Sequence, residues 1–234
     1  MRTGYREFAR MLAKHLKRNF GEDLAGPRLG MHKRAGSSTS ERCKPVPTYV
    51  AMLRGINVSG QKIIKMQNLR DSFEALGFRR VRTYLQSGNV IFETVNASSK
   101  NLSKRIEEKI SSEFGFSVPL VLRTSSEMTQ IVDDNSFLNE KGTDDSKLHV
   151  TFLSALPPKG ALKRLEGLNA LPDRFFIKGR EVYLYCPDGY GRTKLSNNTL
   201  EKLLSLEATT RNWRTVSALA TNSSEKNRQE LDDA

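Results

Sequence analysis

From Thr48 onward the apolar positions switch between a period of two and a period of three to four, and the switches cut the chain into elements. Residues 49–56 (YVAMLRGI) read as a strand bounded by Gly55 and Asn57, with Val50, Met52 and Arg54 on one face and Tyr49, Ala51 and Leu53 on the other. Met66, Leu69, Phe73 and Leu76 recur at helical spacing and stop at Gly77. Val81, Thr83 and Leu85 alternate with polar neighbours, Gln86-Ser87-Gly88-Asn89 turns the chain, and Val90, Ile91 and Phe92 resume as an antiparallel partner. Leu102, Ile106 and Ile110 predict a helix that ends near Gly115, and residues 118–123 predict a fourth strand. This order, β-α-β-β-α-β, is that of the ferredoxin-like split βαβ unit.

After a helical connector over 125–137, capped by Ser125 or Ser126, and an acidic loop through Asp145, the scheme begins again. Residues 148–153 (LHVTFL) make a strand, and Ala161, Leu162, Leu165 and Leu168 make a short helix after Pro157-Pro158. Residues 175–177 and 182–185 form a hairpin across Gly179-Arg180, and residues 195–206 supply a helix. A last helix over 212–220 stands where the repeat calls for a final strand. The expectation is an α+β protein built of duplicated ferredoxin-like halves with antiparallel sheets. Its parts are a first half over 48–124, a connector over 125–146, a second half with an extra C-terminal helix over 147–220, and a polar tail over 221–234.

The first 47 residues behave differently. Tyr5, Phe8, Ala9, Leu12, Leu16 and Phe20 line one side of a helix of about four turns, and Arg6, Arg10, Lys14, Lys17 and Arg18 fill the rest. Residues 21–47, rich in Gly, Pro, Ser, Lys and Arg, read as disordered linker. Residues 1–48 hold 11 Lys/Arg against 4 Asp/Glu, so more than half of the net charge of +12 lies in a fifth of the chain. Three readings of the extension stand: a targeting segment, for which Glu7, Glu22 and Asp23 are unusually acidic; an arm for nucleic acid or a membrane surface; and translation from a start codon placed too early, with Met31 the true start.

Residues 49–220 hold 25 basic against 18 acidic residues, a balance that permits an anionic partner without requiring one. No run approaches the roughly 18 apolar residues of a membrane span. Cys43 and Cys186 have neither a second cysteine nor a histidine at ligand spacing, which argues against a zinc site or disulfide framework and for free thiols in a reducing, cytoplasmic setting. No cofactor or metal signature is present, and oligomeric state leaves no trace in the pattern.

Three groups of polar residues stand out. Arg54 and Asn57 lie where the first strand leaves the sheet: an arginine there can hold a carboxylate or phosphate through a bidentate fork, or can serve an internal ion pair or helix cap. Thr83, Gln86, Ser87 and Asn89 surround the hairpin, where turn chemistry is the favoured explanation. Ser87 lacks the strand-to-helix setting of a nucleophile elbow, and His149 is the one histidine beyond the extension. Arg192 and Lys194 precede one helix, and Arg211, Asn212 and Trp213 open the last, with Asn212 as N-cap and Trp213 either a stacking platform or core. Gly189-x-Gly191-x-Thr193-Lys194 is too short between its glycines for a phosphate-cradling loop.

The strings YVAMLRGINVSG, TYLQSGNVIF, LHVTFL, YCPDGYGRTKL and TTRNWRTV, in this order, resemble the uncharacterised family called domain of unknown function 1697 over about residues 49–219. The resemblance implies a duplicated ferredoxin-like architecture and a small bacterial-type cytosolic protein, and it implies no activity. Ser59, Thr193 and Arg214 depart from the family pattern, and the extension has no counterpart in it. The leading functional expectation is a small anionic ligand held at the junction of the halves by Arg54, Lys194 and Arg211, with or without catalysis. The alternatives are an RNA-binding module, for which Tyr49 and Phe92 are few stacking aromatics, and an interaction module that pairs by exposed sheets.

Overall fold

The computed structural model describes residues 46–224 apart from 59, 96 and 97. The predicted helix and linker of the extension, with Cys43, and the tail from residue 225 lie outside the described residues. All elements below belong to one compact unit that begins at Lys44.

The first run of elements is β1 (Thr48–Leu53), α1 (Met66–Ala75), β2 (Arg79–Tyr84), β3 (Asn89–Glu93), α2 (Ser99–Phe114), β4 (Leu120–Thr124) and α3 (Ser125–Asp133). The second is β5 (Leu148–Leu153), α4 (Lys159–Glu166), β6 (Arg174–Lys178), β7 (Glu181–Tyr185), α5 (Asn197–Leu204), β8 (Ala208–Asn212) and α6 (Trp213–Ser223). Each run builds a four-stranded antiparallel sheet, in the orders β2-β3-β1-β4 and β6-β7-β5-β8. The element order and the strand order are the same in both, including a helix after the fourth strand.

This corrects the expectation that the last strand of the second run is lost to a helix. The strand β8, ATTRN, carries a single aliphatic side chain, Ala208, so no period of two is legible in it. It is held by its ladder to β5 and by internal satisfaction of its polar groups: Thr210 Oγ1 lies 2.8 Å from Thr151 Oγ1, and Thr209 Oγ1 accepts from Arg211 Nη1 at 2.7 Å. Arg211 accordingly sits in a strand, not at a helix start. The cap of α3 is also corrected. It is Thr124, whose side chain accepts from Glu127 N while Glu127 reaches back to Thr124 N, a reciprocal capping box.

Strand alternation sorts the apolar side chains into layers. Tyr49, Ala51 and Leu53 of β1 pack outward under α1 and α2, where Leu69, Phe73, Leu102 and Ile106 meet them. Val50 and Met52 face inward and join Val150 and Phe152 of β5, together with Met128 of α3 and Val216 of α6, in a middle core. Leu153, Val182 and Leu184 of the second sheet pack outward under α4 and α5. Both faces of both sheets are therefore covered.

Candidate functional site

At the end of β1 the chain is drawn tightly to the β2–β3 turn. Leu53 N donates to Gly88 O at 2.8 Å, and Gly88 has φ +75° with space for no side chain: a Cβ there would lie 2.7 Å from Ile56 Cδ1 and 2.9 Å from Leu53 Cβ. Asn57 completes the staple, its Nδ2 donating to Gln86 O at 2.9 Å and to Ile64 O at 3.0 Å while its Oδ1 accepts from Ile64 N. Asn89 is buried, with Nδ2 donating to Tyr84 O and Ser87 Oγ.

Onto this corner Arg211 reaches from β8 of the other sheet. Its Nε donates to Asn89 Oδ1 at 2.6 Å, its Nη1 to Thr209 Oγ1 and Thr210 O, and its Nη2 to Leu53 O at 2.8 Å and Ser87 O at 3.1 Å. All five guanidinium N–H groups are engaged, and every acceptor is neutral. With no carboxylate to offset desolvation, burial pulls this guanidinium down to about 10.

Beside it, Arg54 leaves β1 and crosses to α5, where Nη2 donates to Asn198 Oδ1 at 2.8 Å and Glu201 Oε2 at 2.5 Å. Its Nε is buried without an acceptor among the described residues. Glu201 is fixed in turn, because its other oxygen accepts from Ala208 N at 2.9 Å.

Arg54, Asn57, Gln86, Ser87, Asn89 and Arg211 thus meet at one corner, Gln86 through its backbone carbonyl. Lys194 and Arg192 do not join them: Lys194 Nζ donates to Asn169 O, and Arg192 is exposed in the turn before α5. Asn212 caps α6 by accepting from Thr215 N at 2.9 Å, and Trp213 is buried in the middle core. Asn198 and Glu201 did not stand out in the sequence. Their spacing of three puts them side by side on α5, but nothing local names Arg54 as what they face.

A second arginine, Arg123 of β4, makes the mirror crossing. Its Nε donates to Glu181 Oε1 at 2.7 Å, its Nη1 to Leu122 O, and its Nη2 to Leu153 O at 2.9 Å and Arg180 O at 3.3 Å. A separate polar cluster lies under α5: Tyr190 Oη donates to Thr210 Oγ1 at 3.0 Å and accepts from Asn197 N, and the His149 ring stacks on Tyr190 with centroids 4.8 Å apart. Burial holds His149 below its ordinary value, which favours the neutral ring. Ser87 and His149 belong to different networks, and burial pushes the Cys186 thiol up to about 11, away from thiolate reactivity. Among the described residues no three His, Cys, Asp or Glu side chains gather as a metal would require.

The structure is similar to that of a conserved bacterial protein, SP0830 from Streptococcus pneumoniae, with 17% identity and a TM-score of 0.59 over 77% of this chain and 100% of that one. At that identity the likeness is one of fold. No curated protein matches the sequence. The profile of the family described as "Protein of unknown function (DUF1697)" matches residues 46–183, the stretch that contains the β1 corner, its turn and the Arg123 crossing. The chain belongs to the DUF1697 family.

Proposed function

We propose that the protein binds a small phosphate- or carboxylate-bearing ligand at the Arg54 edge of the junction between two ferredoxin-like halves of a duplicated chain. The observation that carries this reading is the Arg54 guanidinium: Nη2 bridges to Asn198 and Glu201, while Nε is buried with no acceptor. A buried donor without a partner costs about 1–3 kcal/mol, which an anionic oxygen at that position would recover. Arg211, one residue along the β1 corner, adds a buried positive charge that no carboxylate neutralises. Asn198 supplies a neutral side chain within the same reach. The role proposed is binding. A cytoplasmic setting fits the free, buried Cys186.

The nucleic-acid alternative has less support. RNA-recognition domains leave one sheet face open for stacking, whereas Tyr49 and Phe92 stack on each other beneath α1 and α2 with centroids 5.7 Å apart. The same covered faces weigh against pairing through exposed sheets.

Thermal unfolding of the full chain with inorganic phosphate, nucleotides or dicarboxylates tests the reading. At a ligand concentration of about 100 times Kd the stabilisation is about 2.7 kcal/mol, or a Tm shift of roughly 5–10 °C for a domain of this size. The shift should vanish in Arg54→Gln. If no anion at millimolar concentration moves Tm, or if Arg54→Gln responds like the parent, the reading fails.

A further inference from the structure

The loop after β1 and the β2–β3 turn form one tip, tied together by Asn57 Nδ2 donating to Gln86 O. Within the loop, Asn57 N donates to Lys62 O at 3.2 Å, Val58 bridges to Gln61, and Lys62 Nζ reaches Ser117 O at 2.7 Å. The tip is therefore built, not merely a gap between strands. Two independent features coincide there. Val58, Ile63 and Leu85 are large aliphatic residues left 58%, 68% and 55% exposed. Asn57, Lys62 and Leu85 hold φ of +55°, +46° and +58°, where side chains other than glycine are disfavoured.

Leu85 combines the two. A leucine in the left-handed region is strained and one left 55% exposed gains little from burial, so asparagine or glycine would suit this backbone better. With Val58 and Ile63 exposed on the same tip, Leu85 is one of three aliphatic residues that a partner could cover together.

The charges around the tip indicate the partner's chemistry. Residues 54–65 and 85–88, the segments that build it, contain no Asp or Glu. Lys62 and Lys65 are exposed beside Ile63 and have no carboxylate partner among the described residues. We propose that the tip is a docking surface for a protein segment that presents aliphatic side chains flanked by acidic ones. An isologous contact between two copies would set these lysines against their own equivalents. A membrane surface is disfavoured because two lysines fall short of the clusters of about four to eight basic residues that hold anionic lipid, and the tip carries no Trp, Phe or Tyr.

Short peptides selected from a displayed random library against the full chain supply the probe, with affinities then measured by fluorescence polarisation. The expected winners carry aliphatic residues next to Asp or Glu, and weaken by about tenfold or more on Ile63→Ser and on Lys65→Glu. Leu85→Asn is the sharper variant, because it relieves the backbone and should raise Tm while it weakens the peptides, a pairing that a purely structural leucine would not give. Failure to recover peptides overturns the proposal, as do peptides indifferent to all three substitutions. Cosedimentation with phosphatidylserine vesicles that Ile63→Ser abolishes would replace it with a membrane contact. Dimerisation that Ile63→Ser abolishes would replace it with self-association.

Discussion

Arg123 and Arg211 occupy equivalent places in the two sheets, opposite Val50 and Val150 in the register of the central strands. Each sends Nη1 to the carbonyl of the preceding residue, Nη2 to the last carbonyl of the other sheet's central strand and to the hairpin beyond it, and Nε to the first residue of the strand after that hairpin. The geometry is shared and the electrostatics are not. Arg123, 1% exposed, meets the carboxylate of Glu181; Arg211, 8% exposed, meets the amide of Asn89. A crossing arginine at this position is thus satisfied by carbonyls at two strand ends, and a counter-ion is an addition that only one side has. The uncompensated side is also the side on which Arg54 stands.

The widest test of that contrast is to remove each arginine. Arg123→Ala leaves Glu181 nearly buried without its cation, and breaking a buried pair in this way costs about 3–5 kcal/mol. Arg211→Ala strands neutral acceptors while also removing a desolvated charge, so its cost is about 1–3 kcal/mol. Denaturant unfolding of the two variants should rank them in that order, and equal losses would show that Glu181 is irrelevant to the difference. Glu181→Gln sharpens the point by making the Arg123 side resemble the Arg211 side. The amide oxygen can still accept from Arg123 Nε, but the charge and the bond from Arg180 N are lost, so a cost of about 1–3 kcal/mol is expected in the same measurement.

The pattern that made the first run of elements legible was periodicity over aliphatic residues, and it failed where polar residues do the packing. β1 and β5 read directly, down to which face Val50 and Met52 take. β8 did not, because Thr210 and Arg211 pair with partners on other strands that no local window contains, and Thr209 is satisfied by Arg211 itself. Missing β8 made α6 look like a replacement for the fourth strand of the second run. The β1 corner was legible as Arg54, Asn57 and the residues around Gly88, since strand ends and turns have their own chemistry. Arg123 was not, being one cation in an apolar run whose meaning lies across the sheet junction in Glu181 and Leu153.

A smaller contrast lies in how each run caps its last helix from the final strand. Thr124 does so within a reciprocal box with Glu127, and Asn212 does so alone. Thr124→Ala and Asn212→Ala should each cost about 1 kcal/mol by denaturant unfolding, with Thr124→Ala the larger because Glu127 then loses the hydroxyl of its box. The reverse order would mean that the box adds nothing to the cap.

The finest difference concerns two glutamates with one backbone role. Glu107 Oε1 accepts from Leu120 N at the start of β4, as Glu201 Oε1 accepts from Ala208 N at the start of β8, but only Glu201 has an arginine beside it. Burial, with Glu207 nearby, raises Glu107 above the ordinary glutamate value of 4.5, although its bond from Leu120 N opposes the shift. The folded chain therefore holds this proton to higher pH than the unfolded chain does. Stability contributed by the protonated form is complete below pH 4.5 and falls as pH rises through the raised folded value, after which it is level. Because Glu107 is half-buried and still meets water, the loss is small. Glu107→Gln keeps the acceptor for Leu120 N and removes the titration. Unfolding of parent and variant across a pH series should therefore give a difference that is near zero in acid and favours the variant at neutral pH. A difference independent of pH would mean that Glu107 is as well accommodated as Glu201, and that in this pair the two runs do not differ.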